Sequence, residues 1–438
     1  MVIDSSKHTR KTPVRQGSPA ESSPPSKINA HTPFDFAGKN LTPYGGLFPV
    51  ATMLEKLKFQ QLIEETLTVK RIPRAMGMYQ FILSMVLAIY VGFSRLNHIR
   101  FVAKDPMLTR ILKVLELPGQ STFWRFLASL HLVVAGQLLQ VQRVMRERVW
   151  AAAQVRLNAI TLDTDTTVHT LYGKQIARHL ERVFVALPQC IQKIFARADS
   201  GFYCWEAVQA YEKGKAHFII VARKTSRLLE RLQSADWKPS PKTDADEQCE
   251  FWYQPEGWAK PYRFIALRYK KKEKSDKQRE QYQLFDCPGY LYRVFVTDMD
   301  RPIDLLVWFY NQRAGAENLI KEANNDAGLA AHPSGRWAPN CVHFQLVMLA
   351  YNLNCWLMLF HREEGGKVEE MKHTTLATAR LRFLFLAAKF WKHNGQVGIS
   401  YSDQYQEKGL FQRLMERLRG IAAGPGTFLP VLAIPLEC

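Results

Sequence analysis

The sequence predicts an α/β protein with a β-rich stretch set into it and an all-helical region ahead of it. Three observations carry this. From about Leu47 to Trp150 apolar residues recur every three to four positions. From Val155 strand-like runs alternate with amphipathic helical ones, as expected of parallel strands joined by helices. Between about Leu228 and Asp298 the helical period gives way to short runs rich in aromatic and β-branched residues.

The elements follow in order. Residues 1–38 are rich in Ser, Pro and basic side chains and read as a disordered basic tail. Residues 39–152 form the helical region. Within it, PMLTRILKVLELPGQSTFWRFLASL reads as a helix ending near Glu116, a Pro-Gly turn, and a second helix capped by Ser121 or Thr122. Helix, short turn and helix with Arg125 exposed resembles a helix-turn-helix DNA reader, although many helical bundles contain such a corner. Residues 153–227 hold the first part of the α/β core: strand NAITLDTDTTV, the short strand segment VHTLYGK, a helix from Ile176 to Leu187, strand IQKIFARADSGF, helix CWEAVQAYEKG and strand HFIIVARK. Residues 228–298 are the β-rich insertion, interrupted by the charge run RYKKKEKSDKQR, which reads equally as a solvated loop or as phosphate contacts. Residues 299–362 are the second part of the core. PIDLLVWFYNQRAGAENLIKEANND reads as one long helix there. CVHFQLVMLAYNLNCWLMLF, interrupted by His343, Gln345, Asn352 and Asn354, reads as a buried helix and not a membrane span. Residues 363–438 are a mixed C-terminal region with a helix near Thr374 to Phe390.

The formal net charge is +19 and the pI about 9.6. That balance points to a polyanionic partner, nucleic acid before an acidic membrane surface, with a merely basic protein as the plain alternative. The seven cysteines are dispersed, none as CxxC, which suits a reducing compartment. The N-terminus lacks the apolar core of a signal peptide. The expectation is a soluble, cytoplasmic protein.

Three acidic sites stand out, the first of them a pair. In LDTDTT a strand's period of two puts Asp163 and Asp165 on one face, where burial requires a metal, a basic side chain or water to pair them. Asp199 ends a second strand at the Ser200-Gly201 turn, and alone is an ordinary turn residue. Glu317 shares a helix face with Arg313 and Lys321 at i, i+4 and i+8, which by itself reads as a solvated ladder worth a few tenths of a kcal/mol per pair. Together, carboxylates at two strand ends and one on a later helix can converge on hard cations. Mg²⁺ prefers such oxygen ligands, and two ions about 3.5–4 Å apart can clamp a phosphodiester during in-line displacement.

The motifs LDTDTT, RADSGFY and YNQRAGAENLIKEA occur in that order, with a β-rich insertion before the third. In this the chain, from about Gly45 onward, resembles the DDE transposases of bacterial insertion sequences, in the branch whose third motif runs Tyr, two residues, Arg, three residues, Glu. Tyr310, Arg313 and Glu317 match that spacing. A basic residue six positions after the Glu would fall on Asn324; here Lys321 stands four positions after it. The resemblance implies a ribonuclease H-like core and metal-dependent cleavage and strand transfer at element ends, with Mg²⁺, or Mn²⁺ on the same ligands. It also implies terminal inverted repeats and target DNA as partners, with the protein a homodimer on DNA. Asp165, Asp199 and Glu317 would be the catalytic metal ligands. Asp165 is preferred because the family has Asp-X-Thr there, matched by Asp165-Thr166-Thr167, with Asp163 in support. Tyr310, Arg313 and Lys321 would contact DNA, and Trp252 or Trp258 of the insertion would stack on a flipped base, unless these are β-domain core residues.

One spacing departs from the family. Asp165 and Asp199 are only 34 positions apart. Three antiparallel strands and a helix need roughly 35–40 residues before the strand bearing the second acid. The join at GKQIARHL therefore reads as a deletion of the second and third strands or their link. An incomplete sheet, an exposed edge and a poorly placed Asp199 are expected to follow. The alternative function is then a transposase remnant that binds DNA without cutting it.

Overall fold

The computed structural model describes residues 29–69, 76–165, 173–270, 289–361, 374–422 and 431–432. Most of the basic tail, the VHTLY part of the short strand segment, Thr166-Thr167 and the charge run beyond Lys270 lie outside the described residues. Residues up to Asn40 form a unit of their own, and residues 29–40 of it are exposed and hold no helix or strand.

The second unit begins with β1 (Leu41–Thr42), then α1 (Leu47–Lys56), α2 (Phe59–Thr66), α3 (Met78–Tyr90), α4 (Pro106–Leu112), α5 (Gln120–Ala128) and α6 (Leu132–Ala152). The turn between α4 and α5 differs from expectation. The first helix stops at Leu112, where Lys113 takes a left-handed conformation (φ 55°). Gly119 precedes the second, so Ser121 and Thr122 are helical and neither is its cap.

The α/β part runs β2 (Arg156–Leu157), β3 (Ala159–Thr164), α7 (Gly173–Val185), β4 (Lys193–Ala198), α8 (Trp205–Lys213), β5 (Ala216–Val221), α9 (Ser226–Gln233), β6 (Lys238–Pro239), β7 (Glu247–Tyr253), β8 (Tyr262–Lys270) and β9 (Tyr290–Thr297). Seven of these strands form one sheet in the order β3-β4-β5-β9-β8-β7-β6. β3, β4 and β5 are parallel, and every later pairing is antiparallel. The strands of 228–298 thus continue the core sheet and do not build one of their own.

Strand alternation divides the core. Phe218, Ile220, Phe264 and Val296 pack with α7, α8 and α9 on one face, through Leu180, Tyr211 and Leu228 among others. Ile219, Ile265, Leu267 and Phe295 face the other way, onto α10 (Ile303–Asn311). Chain direction at each strand supplies both apolar sets because successive side chains point to opposite faces.

The expected single helix from Pro302 is two. α10 ends at Asn311, and α11 (Ala314–Asp326) begins after Arg313. Next is α12 (Trp337–Phe360), the expected apolar helix. It is long and apolar enough to cross a membrane, but most of its apolar window is buried inside the protein. It packs against α1, α3, α5 and α6, and one continuous core joins it to the N-terminal helices. Three of its polar interruptions, the amides of Gln345, Asn352 and Asn354, are bonded. Gln345 Oε1 accepts from Gln142 of α6 at 2.7 Å, Asn352 donates to Gln142 Oε1 at 2.9 Å, and Asn354 donates to the Thr374 carbonyl at 3.0 Å. Buried amides cost free energy unless bonded, so these contacts fix how α12 seats on α6.

The expected helix near Thr374 to Phe390 is largely absent. α13 (Leu376–Ala379) runs into one wide turn to Leu384, and β10 (Ala388–His393) then pairs with β1 and β11 (Gln396–Tyr401). α14 (Lys408–Arg419) and β12 (Val431–Leu432) complete the described chain.

Candidate acidic site at the carboxyl end of the sheet

β3 and β4 pair in parallel, Asp163 opposite Arg197 and Thr164 opposite Ala198. Asp165 and Asp199 therefore each stand one residue past the last pair, at the carboxyl ends of adjacent strands. Such strands lie about 4.8 Å apart. The short spacing has not pulled Asp199 out of line with Asp165. A parallel crossover needs about a dozen residues or more, and the chain between these strands, with α7, supplies that. What β3 lacks is a neighbour on its other side: among the described residues it pairs with β4 alone and forms the sheet's edge.

The two acids of LDTDTT have different partners. Asp163 is held by Arg197, Nε to Oδ1 at 2.5 Å and Nη2 to Oδ2 at 2.6 Å. Arg197 is buried; its Nη1 donates to the Phe309 carbonyl at 2.8 Å and its guanidinium lies 5.0 Å from the Phe309 ring centre. This two-pronged pair welds β3 to β4 and to the end of α10. Asp165 is held by Arg313, whose Nη2 reaches its Oδ1 at 2.7 Å and the Thr164 carbonyl at 3.3 Å. Nη1 of the same arginine donates to Glu317 Oε1 at 2.6 Å.

Arg313 is therefore no member of a solvated ladder. It is buried at 7% exposure and links the first-motif acid to the third-motif acid. Burial opposes its charge, but the Tyr310 hydroxyl and the Asp165 and Glu317 carboxylates outweigh that and strengthen its hold on the proton. The break between α10 and α11 makes this geometry: Arg313 stands at the start of α11 and Glu317 one turn on.

Asp199 caps the short turn that follows β4, its Oδ1 accepting from the Gly201 N–H at 3.0 Å. Arg223 ties that turn down through the Ser200 and Gly201 carbonyls. Tyr310 lies between the acids. Its ring is buried on Phe295, with centres 4.8 Å apart. Burial raises its phenol, Arg313 and Arg293 lower it, and Asp199 and Glu317 both raise it.

Of the expected site residues, then, Asp165, Asp199, Glu317, Tyr310 and Arg313 are gathered at one end of the sheet. Lys321 is exposed one turn beyond Glu317, without a described partner. Trp252 projects from β7, 70% exposed, whereas Trp258 is buried among Tyr203, Trp205 and Tyr262 and belongs to the core. Arg125 is exposed and donates to Thr122 Oγ1 at 3.2 Å. Sequence reasoning missed Arg197. The signal was present: it stands two residues before Asp199, as Asp163 stands two before Asp165, and parallel register makes them opposite.

The donor set suits a hard divalent cation in kind, since it is three carboxylates, with Asp165 34% and Glu317 57% exposed at their side chains. It is not closed on one point. Among the described residues no three acidic, His or Cys side chains lie close enough to hold an ion. A fixed guanidinium stands between two of the acids and offsets one of their two negative charges.

No curated protein matches the chain. A family described as Transposase DDE domain group 1 matches residues 25–184 and 176–423, leaving out only residues 1–24 and 424–438. Coverage of that extent, over an α/β fold with its acids gathered at one sheet end, establishes that the chain belongs to the transposase DDE domain family, group 1.

Proposed function

We propose that the protein works on the DNA ends of its insertion sequence as a transposase, through a ribonuclease H-like core. The observation that supports this is that Asp165 and Asp199 stand at the carboxyl ends of the adjacent strands β3 and β4, with Glu317 at the start of α11 tied to Asp165 through Arg313. In this reading those acids hold Mg²⁺, with Mn²⁺ a fit to the same oxygens. When bound, the metal activates the attacking oxygen and stabilises the leaving one in phosphodiester cleavage and strand transfer.

The chain's own residues do the rest. Arg313 keeps the Asp165 and Glu317 carboxylates facing one another until DNA and metal arrive. Lys321 is free to take a backbone phosphate beside Glu317. Arg197 and Asp163 hold the strand ends in register. Exposed Trp252 offers a stacking surface for a displaced base, and Arg125 a groove or backbone contact. Terminal repeats and target DNA are the partners, a homodimer the working form, and the cytoplasm the compartment.

A second reading has its own support. β3 has one described neighbour, and the family match falls into two pieces that meet at 176–184, next to the GKQIARHL join. Loss of the chain that would flank β3 leaves DNA binding intact and removes one wall of the cleavage site. Metal sites are sensitive to ligand shifts of about 1 Å, so such a remnant binds element ends without cutting.

The test is cleavage of a labelled duplex carrying the element's terminal repeats, in Mg²⁺ and in EDTA, beside Glu317→Gln. Mg²⁺-dependent nicking lost in the variant establishes the three-acid site. Binding without nicking establishes the remnant, and lengthening the chain between Gln175 and Ile176 is then expected to restore cutting.

A further inference from the structure

A basic site lies where the loop after α3 and the start of α5 meet the loop between α11 and α12. It is an open cavity of about 890 Å³. Arg95, Gln120, His332, Ser334, Arg336 and His343 line it, and none of its lining residues is acidic. Both arginines are exposed, and among the described residues neither guanidinium has an ion-pair or hydrogen-bond partner.

Two helices begin at this cavity. Gln120 is the first residue of α5, and Arg336 immediately precedes α12. Neither helix has a side-chain cap. Their first-turn N–H groups thus lack side-chain acceptors, and the positive ends of both helix dipoles add to the arginine charge.

The independent sign of a ligand is His343. It is 3% exposed, lines the cavity from α12, and its Nδ1 has no partner. A buried ring nitrogen without a partner is costly unless something supplies one. Burial, then the neighbouring His332, pushes its pKa down to about 4, so at neutral pH the positive charge comes from Arg95 and Arg336.

We propose that this cavity binds a phosphate group of the DNA backbone. Arg95 and Arg336 would pair with its oxygens, with the first turns of α5 and α12 donating to it. The assignment of the phosphate to DNA rests on the transposase reading. It adds an anchor on the helical body, joining α5 to the segment that follows the Glu317 helix, and so fixes element DNA at a second point.

The experiment uses the full chain and the Arg95→Ala/Arg336→Ala double variant. These side chains are exposed, and a melting curve checks the fold. One arm titrates a labelled terminal-repeat duplex across about 50–200 mM salt. The double variant should bind at least about tenfold more weakly, with the slope of log affinity against log salt smaller by about one per arginine. A second arm follows inorganic phosphate by ³¹P line broadening, which the double variant should lose. Unchanged duplex affinity and slope overturn the proposal, whatever the phosphate arm gives. If the unmodified chain binds no duplex, the transposase reading fails, and the assignment to DNA fails with it. The phosphate arm then decides whether the cavity holds phosphate at all: broadening lost in the double variant keeps that part, and any other result removes it.

Discussion

Removing Asp163 tests how the strand ends are held. Asp163→Ala leaves Arg197 at 9% side-chain exposure with Nε and Nη2 unpaired, keeping only the Phe309 carbonyl and ring. Breaking one side of a buried pair costs about 3–5 kcal/mol, because the remaining charge stays desolvated. Asp163 is itself 17% exposed, so water can reach part of the vacated space, and about 3 kcal/mol is expected. Arg197→Met should cost somewhat less, since the stranded carboxylate lies nearer solvent at the sheet edge. The double variant should be clearly more stable than the sum of the two, with a coupling of about 2 kcal/mol, because two buried charges have gone together. Urea midpoints with a common m-value measure all four forms. If Asp163→Ala costs under about 0.5 kcal/mol and the two changes simply add, β3 is not seated on β4 through this pair. Asp163 would then have to be reconsidered as a ligand.

Other expectations follow from the same geometry. His361 has both ring nitrogens buried without described partners, stacked 4.5 Å from Phe383, and burial lowers its pKa to about 4. Its folded pKa lies below the unfolded value near 6.5, so the unfolded state takes up the proton first and stability falls as pH drops from about 6.5 to about 4. His361→Phe should remove that loss, on the order of 3 kcal/mol, while keeping the stack; parallel pH–stability curves for both proteins would refute it. Trp258→Ala should cost about 3–5 kcal/mol as a core truncation, whereas Trp252→Ala should leave the melting temperature unchanged and weaken binding to a duplex with unpaired ends. A melting shift of several degrees for Trp252→Ala would show that the side chain is packed. Glu317→Gln should cost no more than about 1 kcal/mol, since its carboxylate is more than half exposed, so lost cleavage in that variant is not lost folding.

Local chemistry made much of the chain legible. The three parallel strands, the helices between them and the strands of 228–298 each carry their own period, and a period is a property of a few neighbouring residues. Boundaries set by backbone conformation were harder. The stop at Lys113 and the break at Gln312-Arg313 lie in segments whose side chains favour a longer helix. A left-handed residue in one case, and a buried arginine reaching β3 in the other, end them. Near Phe390 the strand β10 forms because β1 and β11 offer a ladder, an option invisible within the segment itself.

By itself, then, the sequence singled out the candidate residues, Asp165, Asp199 and Glu317 in three ordered motifs, on elements whose type follows from local pattern. It could not determine who neutralises whom. That Arg197 takes Asp163, that Arg313 bridges Asp165 to Glu317, and that β3 ends the described sheet are consequences of strand register and of where α10 hands over to α11. Charges separated by more than a hundred positions meet only when the sheet sets their distance, and Coulomb energy depends on that distance and on burial, neither of which is written in the order of residues.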